Sequence, residues 1–321
     1  MKKLQKFTEP QITSTYAGEF AGQYIAAALL SARTLDNKLI TIHPNVKFKE
    51  VLQKVAVDGI VQDASCDFVT SGSVVLSERI LEPKELQVNL QLCKQEFVDS
   101  WEALQLGYSA FDSIPANFND FLISYVGGKV AEATEQSIWQ GEAINGEFLG
   151  FESAFSASIA AGGATAVLAA KSGSIIISGS VTSANVLDKL NSVLDTVPDT
   201  VYGKEDLLIY VSTNVAKAYQ QALAGGAIGA NGWNNQMNVG EKPFNFNGVE
   251  IVLCPGMSAN KIVAAQKSNL FFGTGLLSDH NEVRVLDMAN LDGSQNYRII
   301  MRYTAGVQFG IGQDIVYYGA Y

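Results

Sequence analysis

The sequence predicts an α+β protein in which strands and helices follow one another without regular alternation. Near residue 90, Val88, Leu90 and Leu92 alternate with Asn89 and Gln91, which is the period of a half-buried strand. A later stretch repeats apolar residues three and four apart over about six helical turns, and the last part of the chain is mostly strand. A doubly wound enzyme would instead alternate strands and helices regularly, so this order argues against that class.

The first distinctive element is a predicted hairpin over residues 68–92. Two extended segments flank the densest charge of the region, which makes a projecting hairpin a better description than a core sheet. The charged residues are Arg79, Glu82, Lys84 and Glu85, and we expect them to act in intersubunit assembly.

The next element is a long amphipathic helix from about Ile114 to Glu142. Ser113 and Pro115 form a cap and first-turn pair at its start. Its apolar face should pack against the strands between residues 283 and 309. The members of that face are Leu122, Val126, Val130 and Ala133.

The middle of the chain divides into a weakly ordered connection and a patterned segment. Residues 153–183 are rich in Ala, Gly and Ser, so we predict a mobile linker there. The stretch "TSANVLDKLNSVLDTV" that follows predicts a capped helix ended by Pro198. After it, "DLLIYVS" predicts a buried strand and "TNVAKAYQQALAGG" a helix that ends at a glycine pair.

Composition and charge limit the classes of partner. Hydrophobic residues make up 47% of the chain and charged residues 17%, against about 25% charged in ordinary soluble domains. An apolar surplus of this size favours a surface covered by other subunits. The net charge is −10 and the only basic cluster is "MKKLQK", which argues against direct nucleic-acid binding, although an acidic wall could enclose nucleic acid without binding it tightly.

The cysteines and histidines do not form a reactive site in this pattern. Cys66, Cys93 and Cys254 lack metal-ligand spacing and fit buried thiols in a reducing cytoplasm. His43 and His280 lie far apart without companion motifs. We therefore expect no catalytic residues, no cofactor and no metal.

Acidic and aromatic residues near the long helix have ordinary explanations as well. Glu132 and Glu135 lie three apart without a basic partner in register, so we predict a solvated or intersubunit face. Trp101, Trp139 and Trp233 are best explained by core or interface packing.

One apolar run, "YIAAALLSA" at residues 24–32, needs a membrane test. It is too short to span a bilayer, and it lies too far along the chain for a signal peptide. We expect no membrane partner and synthesis in the cytoplasm.

Several segments, taken in order, resemble the major capsid proteins of tailed bacteriophages, which share the HK97 fold. They are "SERILEPKELQVNLQLC", "KQEFVDSW", "SANVLDKLNSVLDTVP", "LLIYVSTNVAKAYQQAL", "FNGVEIVLCPGM", "KIVAAQKSNLFFGTGLLSDHNEVRVLDM" and "YRIIMRYTAGVQFG". Three more, "CDFVTSG", "LCKQEF" and "SIWQGE", look most like capsid proteins of Bacteroidota-infecting phages, including crAss-like ones.

This resemblance implies a function and a division of the chain. The protein would assemble into hexamers and pentamers of an icosahedral phage head that encloses double-stranded DNA, with portal, scaffold and head-decoration proteins as partners. It would be located in the virion and be assembled in the host bacterial cytoplasm. The implied parts are an N-terminal arm at 1–51, an E-loop at 52–93, a P domain with the long spine helix at 94–150 and 277–305, and an A domain at 151–276 and 306–321.

Two alternatives belong to other functional classes. An encapsulin-like shell of the same fold would house a cargo enzyme inside a bacterium. An extracellular adhesin or carbohydrate-binding β protein would use the tryptophans and glycine-rich loops, but the missing signal peptide counts against it. An enzyme ranks last because no catalytic constellation is present.

Overall fold

A computed structural model describes residues 33–46, 48–58, 63, 73–93, 116–163, 165–226, 244–275, 284–288, 294 and 296–319. The chain forms two compact units. Unit 1 contains Met1–Ala28, Asn89–Tyr125 and Arg284–Ile300, and unit 2 contains Leu29–Val88, Val126–Val283 and Met301–Tyr321. Helices and strands are mixed throughout the described part, and the predicted α+β class is confirmed.

The described helices and strands are as follows in chain order. The helices are α1 Arg33–Asp36, α2 Ala116–Gln140, α3 Phe151–Ala161, α4 Val186–Thr196 and α5 Thr213–Gly226. The strands are β1 Thr41–His43, β2 Glu50–Asp58, β3 Ser73–Leu81, β4 Lys84–Cys93, β5 Leu168–Ala169, β6 Lys171–Ser172, β7 Ile175–Ile176, β8 Leu207–Val211, β9 Phe244–Phe246, β10 Val249–Leu253, β11 Ile262–Gln266, β12 Leu270–Thr274, β13 Arg284–Asp287, β14 Asn296–Phe309 and β15 Val316–Tyr318.

A six-stranded sheet in unit 2 holds the main hydrophobic core. Its strand order is β5-β15-β11-β8-β10-β9, and all five residues of β8 are buried. Apolar residues of α4 and α5, among them Leu190, Val193 and Val215, are buried in one cluster with Ile209 and Ile262 of the sheet. The two helices and the buried strand predicted for this region are confirmed, but α4 begins at Val186, and its N-cap residue Asn185 makes no side-chain capping hydrogen bond.

A second sheet in unit 2 is built on the later part of β14. β12 runs antiparallel to it, from Leu270 opposite Phe309 to Thr274 opposite Ala305. β1 adds to β12 in parallel. The residues of β14 alternate between buried and accessible over most of its length, which is the pattern of a strand with one covered face.

Unit 1 contains the first residues of β14. They pair with β13 in antiparallel register, from Arg284 opposite Ile300 to Asp287 opposite Tyr297. β4 also pairs with β14, and within this unit Arg298 Nε donates a hydrogen bond to Gln91 Oε1 at 3.2 Å.

The long helix is confirmed as α2, but its predicted apolar face is wrong at Ala133. Val126 and Val130 are buried, whereas Ala133 is exposed and Thr134 is buried in its place. The buried positions follow steps of four residues along the helix, so the face reaches Thr134 instead of turning toward Ala133. The side chain of Leu122 lies outside the described residues.

The mobile linker predicted for residues 153–183 is wrong. The segment contains most of α3 and three short strands. Phe151 and Phe155 are fully buried, and their rings stack with centroids 5.6 Å apart. The ring centroid of Phe155 also lies 5.3 Å from that of Phe309 and 5.7 Å from that of Tyr317. Two aromatic residues one helical turn apart anchor the helix although most of its other residues are Ala or Ser.

The hairpin predicted for residues 68–92 is also wrong in its pairing. β3 pairs with β2 in antiparallel register, from Glu50 opposite Leu81 to Asp58 opposite Ser73, while β4 joins β14. The charged stretch therefore lies at the root of the β2–β3 hairpin and not at its tip. Pairing between strands depends on distant partners, and the local charge pattern does not specify them.

The solvated face predicted for Glu132 and Glu135 is wrong for Glu135, which is buried. Thr34 donates to its carboxylate twice, from the backbone N at 3.0 Å and from Oγ1 at 2.6 Å. Trp139, which lies in the core as predicted, donates from Nε1 to Thr34 Oγ1 at 3.0 Å. Burial raises the pKa of Glu135, and the Thr34 hydrogen bonds oppose part of that increase.

Candidate assembly surfaces

The β2–β3 hairpin is a ladder of nine residue pairs that, in the described ranges, is joined to no third strand. At about 3.3 Å per residue, it extends for roughly 27 Å from its root. A two-stranded hairpin is only marginally stable in water by itself, and its outer edges offer unpaired backbone groups. The ladder therefore depends on what holds its root and on what covers its surface.

The root of the hairpin is fixed firmly within unit 2. Leu81 is fully buried, and a Cβ atom at Gly273 would lie 2.8 Å from its Cδ2. Gln308 Nε2 donates to the Ile80 carbonyl oxygen at 2.8 Å. The absence of a side chain at Gly273 thus allows β12 and the hairpin root to approach closely.

Arg79 adds a second anchor at the root. Its guanidinium carbon lies 3.9 Å from the centroid of the Phe309 ring. Its Nε donates to the Gly310 carbonyl oxygen at 3.0 Å, and one terminal nitrogen donates to the Thr165 carbonyl oxygen at 3.4 Å. Burial lowers the pKa of Arg79. The side chain combines stacking on a ring with hydrogen bonds to backbone oxygens, a combination suited to a planar guanidinium.

One face of the hairpin exposes apolar side chains at its root, next to the exposed pair in which Gln53 Nε2 donates to Glu78 Oε1 at 3.2 Å. Val51 lies opposite Ile80 in the ladder, and these two side chains are 47% and 50% exposed. Phe48, just before β2, is almost fully exposed. In the same register Val55 lies opposite Leu76. We define Phe48, Val51 and Ile80 as the hairpin patch.

The other three residues predicted for assembly surround this root. Glu82 pairs with Lys49 at 3.0 Å, and both side chains are more than half exposed. Lys84 Nζ donates to two backbone oxygens, of Ala143 at 3.1 Å and Glu147 at 2.8 Å. Glu85 is exposed. The role of Arg79, Glu82, Lys84 and Glu85 between subunits stays a prediction. Within the subunit, Arg79 and Lys84 also donate hydrogen bonds to backbone oxygens.

Two clefts border the hairpin root and share Arg79, Gly310 and Ile311 in their walls. Their volumes are about 430 and 280 Å³. In the larger one His43 Nδ1 lies 3.0 Å from Glu50 Oε1, and the His43 ring meets Phe271 edge to face at 5.1 Å. The polar groups in this cleft are thus engaged with one another, as expected of a supported root.

The described residues offer little to reaction chemistry. Among them, no group of three or more His, Cys, Asp or Glu side chains could hold a metal ion. Cys254 is buried as predicted, and burial raises the pKa of its thiol, which keeps it neutral. His280, Cys66, Trp101 and Trp233 lie outside the described residues. No helix in the described part of the chain is long and apolar enough to span a membrane.

Sequence reasoning singled out Arg79 for a role between subunits, which stays a prediction, and it missed the hairpin patch. Val51 and Ile80 can be recognised as neighbours only when β2 is known to pair with β3, because that pairing puts them on one face. The available signal was the matched alternation of "EVLQKVAVD" and "SVVLSERIL", which are two strands of equal length on either side of the tip.

Comparisons with known proteins identify the architecture. No family model matches the chain, and no curated protein matches it. Among solved structures, the cyanophage A-1(L) capsid asymmetric unit matches with a TM-score of 0.63 and 13% identity, covering 96% of this chain and 98% of that chain. A structure from Gordonia phage Cozz matches with a TM-score of 0.60 and 10% identity, covering 95% and 91%. The capsid of the empty GTA particle matches with a TM-score of 0.59 and 13% identity, covering 97% and 94%.

The chain has an HK97-like fold. The fold class predicted from the sequence resemblance is therefore confirmed. Within the HK97-like fold, the division into arm, E-loop, P domain and A domain stays a prediction, and so does the finer resemblance to crAss-like phages.

Proposed function

We propose that this protein is a major capsid protein that assembles into hexamers and pentamers of an icosahedral phage head. The observation that carries the proposal is the extent of the structural match. The cyanophage and GTA capsid chains are each covered over more than nine-tenths of their length, and this chain is covered to the same extent. The match thus leaves little room for an additional catalytic domain in the aligned chain, and we propose no enzymatic activity.

The hairpin patch supports self-assembly on physical grounds. Val51 and Ile80 expose apolar surface on a two-stranded ladder that extends from a well-packed root. Covering that surface would gain about 25 cal/mol for each Å² removed from water. A neighbouring subunit beneath the hairpin would supply this cover, so we assign the E-loop to the region around the β2–β3 ladder.

The proposed division of the chain follows from this assignment. The N-terminal arm would occupy 1–51, the E-loop 52–93, the P domain 94–150 and 277–305, and the A domain 151–276 and 306–321. In this arrangement, α2 is the spine helix of the P domain, and the six-stranded sheet with α4 and α5 forms the body of the A domain.

The net negative charge of the chain favours a shell that encloses DNA over a protein that binds DNA. A net charge of −10 opposes the phosphate contacts that supply most nucleic-acid affinity. We therefore infer that the shell encloses double-stranded DNA without sequence-specific binding. Portal, scaffold and head-decoration proteins are the proposed partners, with assembly in the host cytoplasm and a final location in the virion.

Sedimentation velocity combined with negative-stain microscopy of the purified protein tests the proposal. We expect rings or closed shells at micromolar concentration over a range of salt concentrations. A single species at the chain mass of 34.4 kDa under all conditions would contradict it. Shells that copurify with an enclosed enzyme would instead favour the encapsulin-like alternative.

A further inference from the structure

The β6–β7 hairpin in unit 2 displays isoleucines that its own subunit does not cover. β6 pairs with β7 through Lys171 opposite Ile176 and Ser172 opposite Ile175. Every residue from 171 to 176 is exposed, with Ile175 and Ile176 at 72% and 46%. A partner that covered these two large branched side chains would remove apolar surface from water, which favours association.

The next isoleucine shows that this exposure is a feature of the hairpin and not of the whole segment. Ile177 packs against the core under α4, and its backbone N donates to the Ala170 carbonyl oxygen at 3.0 Å. The Lys171 backbone N donates to Thr196 Oγ1 at 3.1 Å. The base of the β6–β7 hairpin is thus fixed to the end of α4, while Ile175 and Ile176 on its two faces are exposed.

A second exposed surface lies on the opposite flank of α4. Tyr202 is 49% exposed, and its hydroxyl donates to the Asn247 carbonyl oxygen in the β9–β10 turn at 3.4 Å. Asn247 Nδ2 donates to Asn191 Oδ1 of α4 at 3.2 Å. Asn191 and Thr196 are five residues apart, which places them about 140° apart around a helix of 3.6 residues per turn. The β6–β7 hairpin and Tyr202 therefore lie on different flanks of this helix.

The exposed charged residues of the two flanks differ in sign. Lys171 is the only charged residue between Glu152 and Asp188, so the β6–β7 hairpin carries a single positive charge. Beside Tyr202, the exposed residues include Asp199 and Glu205. Lys204 in the same loop lies 3.5 Å from Gln266 Oε1, which directs its ammonium group toward the sheet.

We propose that the β6–β7 hairpin of one subunit packs against Tyr202 of the next, with Lys171 beside Asp199 and Glu205. This inference rests on the proposed function and specifies one contact within the ring. A surface on one flank that matches a different surface on the other flank makes a head-to-tail contact, and such contacts form a ring when the rotation between neighbours closes. The partner is a second copy of this chain.

A double cysteine variant, Ile175→Cys with Tyr202→Cys, tests the geometry directly. A disulfide requires Cα atoms within about 7 Å, so oxidation of assembled protein should give a ladder of linked species from dimer upward on non-reducing gels. Each single variant alone should give no ladder, which controls for the native cysteines. A mixture of the two single variants should give dimers and nothing larger, because each chain then has only one reactive end.

An independent variant tests the apolar contact. Ile175→Asp should reduce the yield of rings or shells at least tenfold while leaving circular dichroism and the melting temperature unchanged. Ile144→Asp is the matched control, because Ile144 is also more than half exposed but lies in the turn after α2. Its assembly yield should stay within twofold of the unmodified protein.

The outcomes separate this contact from the proposed function. Shells without a disulfide ladder, or with full assembly of Ile175→Asp, would overturn the contact while the capsid function stands. Equal losses for Ile144→Asp and Ile175→Asp would also overturn it, because assembly would then respond to any added charge. Unmodified protein that stays monomeric in every condition would overturn both.

Discussion

The six-stranded sheet and the β2–β3 hairpin have opposite relations to their surroundings. In the sheet, β8 has a neighbour on each side and all five of its residues are buried. In the hairpin, each strand has only the other as a described partner, and the side chains of Val51 and Ile80 are about half exposed. Both regions are rich in branched apolar residues. The sheet buries the side chains of β8 within the subunit, whereas the hairpin leaves those of Val51 and Ile80 available to another molecule.

This difference indicates that folding and assembly are encoded in separate places. Side chains that point into the sheet decide whether the subunit folds, since removing or charging one leaves a buried defect. Side chains on the outer face of the hairpin contribute little until a partner covers them. Variants in the two regions should therefore fail in different ways.

The largest effect is expected for Ile209→Asp in the centre of β8. Ile209 is fully buried, and an unpartnered charge at such a position costs several kcal/mol, on the order of the whole stability of a domain. We expect insoluble protein on expression, measured as the soluble fraction after lysis. Soluble protein with an unchanged melting temperature would contradict the place of β8 in the core.

Ile80→Asp makes the same chemical change on the hairpin patch. Ile80 is half exposed, so the new carboxylate can stay hydrated and the free subunit should remain folded. Assembly yield, measured by sedimentation, should fall at least tenfold because the charge would be buried beneath a neighbour. Normal shells from this variant would remove the hairpin patch from the assembly interface.

Arg79→Ala should have an intermediate effect on the subunit itself. It removes the stacking on Phe309 and the hydrogen bond to Gly310, together worth about 1–2 kcal/mol. Urea denaturation should show this loss, and Arg79→Lys should recover only part of it. Glu85→Gln, an exposed change nearby, serves as control and should leave the denaturation midpoint in place. An unaffected Arg79→Ala midpoint would show that the root is held without this side chain.

The smallest effect is expected from pH acting on the buried acids. Burial raises the pKa of Glu135 and of Glu152 in the folded state. The unfolded chain therefore loses these protons first as pH rises, so stability should fall from about pH 4.3, the ordinary glutamate pKa, upward to the raised folded value. Glu135→Gln should make this slope shallower in melting temperatures recorded between pH 4.5 and 8. A slope for Glu135→Gln equal to that of the unmodified protein would contradict the buried position of Glu135.

Local signals were sufficient for much of the six-stranded sheet and the helices packed on it. Pro198 ends α4, a glycine pair ends α5, and a run of branched residues marks β8, so each element could be predicted from its own residues. The helix α3 was not predicted because its small residues resemble those of a linker. Phe155 anchors it only through contacts with Phe309 and Tyr317, which are distant in sequence.

Pairing between distant segments explains the other errors. The strand at 73–81 could be recognised, but its partner at 50–58 could not be chosen from charge alone. Glu135 presented the same problem, because its hydrogen-bond partner Thr34 lies 101 residues earlier. A carboxylate on a helix is usually solvated, and only the tertiary fold brings the donors that stabilise it in the interior.

Hydrogen exchange of the free and assembled protein tests the separation of folding and assembly most directly. Peptides that cover residues 50–58 and 73–81 should exchange quickly in the free subunit and be protected at least tenfold in the assembled one. Peptides that cover β8 and β11 should be protected in both. Equal protection of the hairpin before and after assembly would show that the subunit covers it by itself, and the proposed division between a self-sufficient sheet and a partner-dependent hairpin would be wrong.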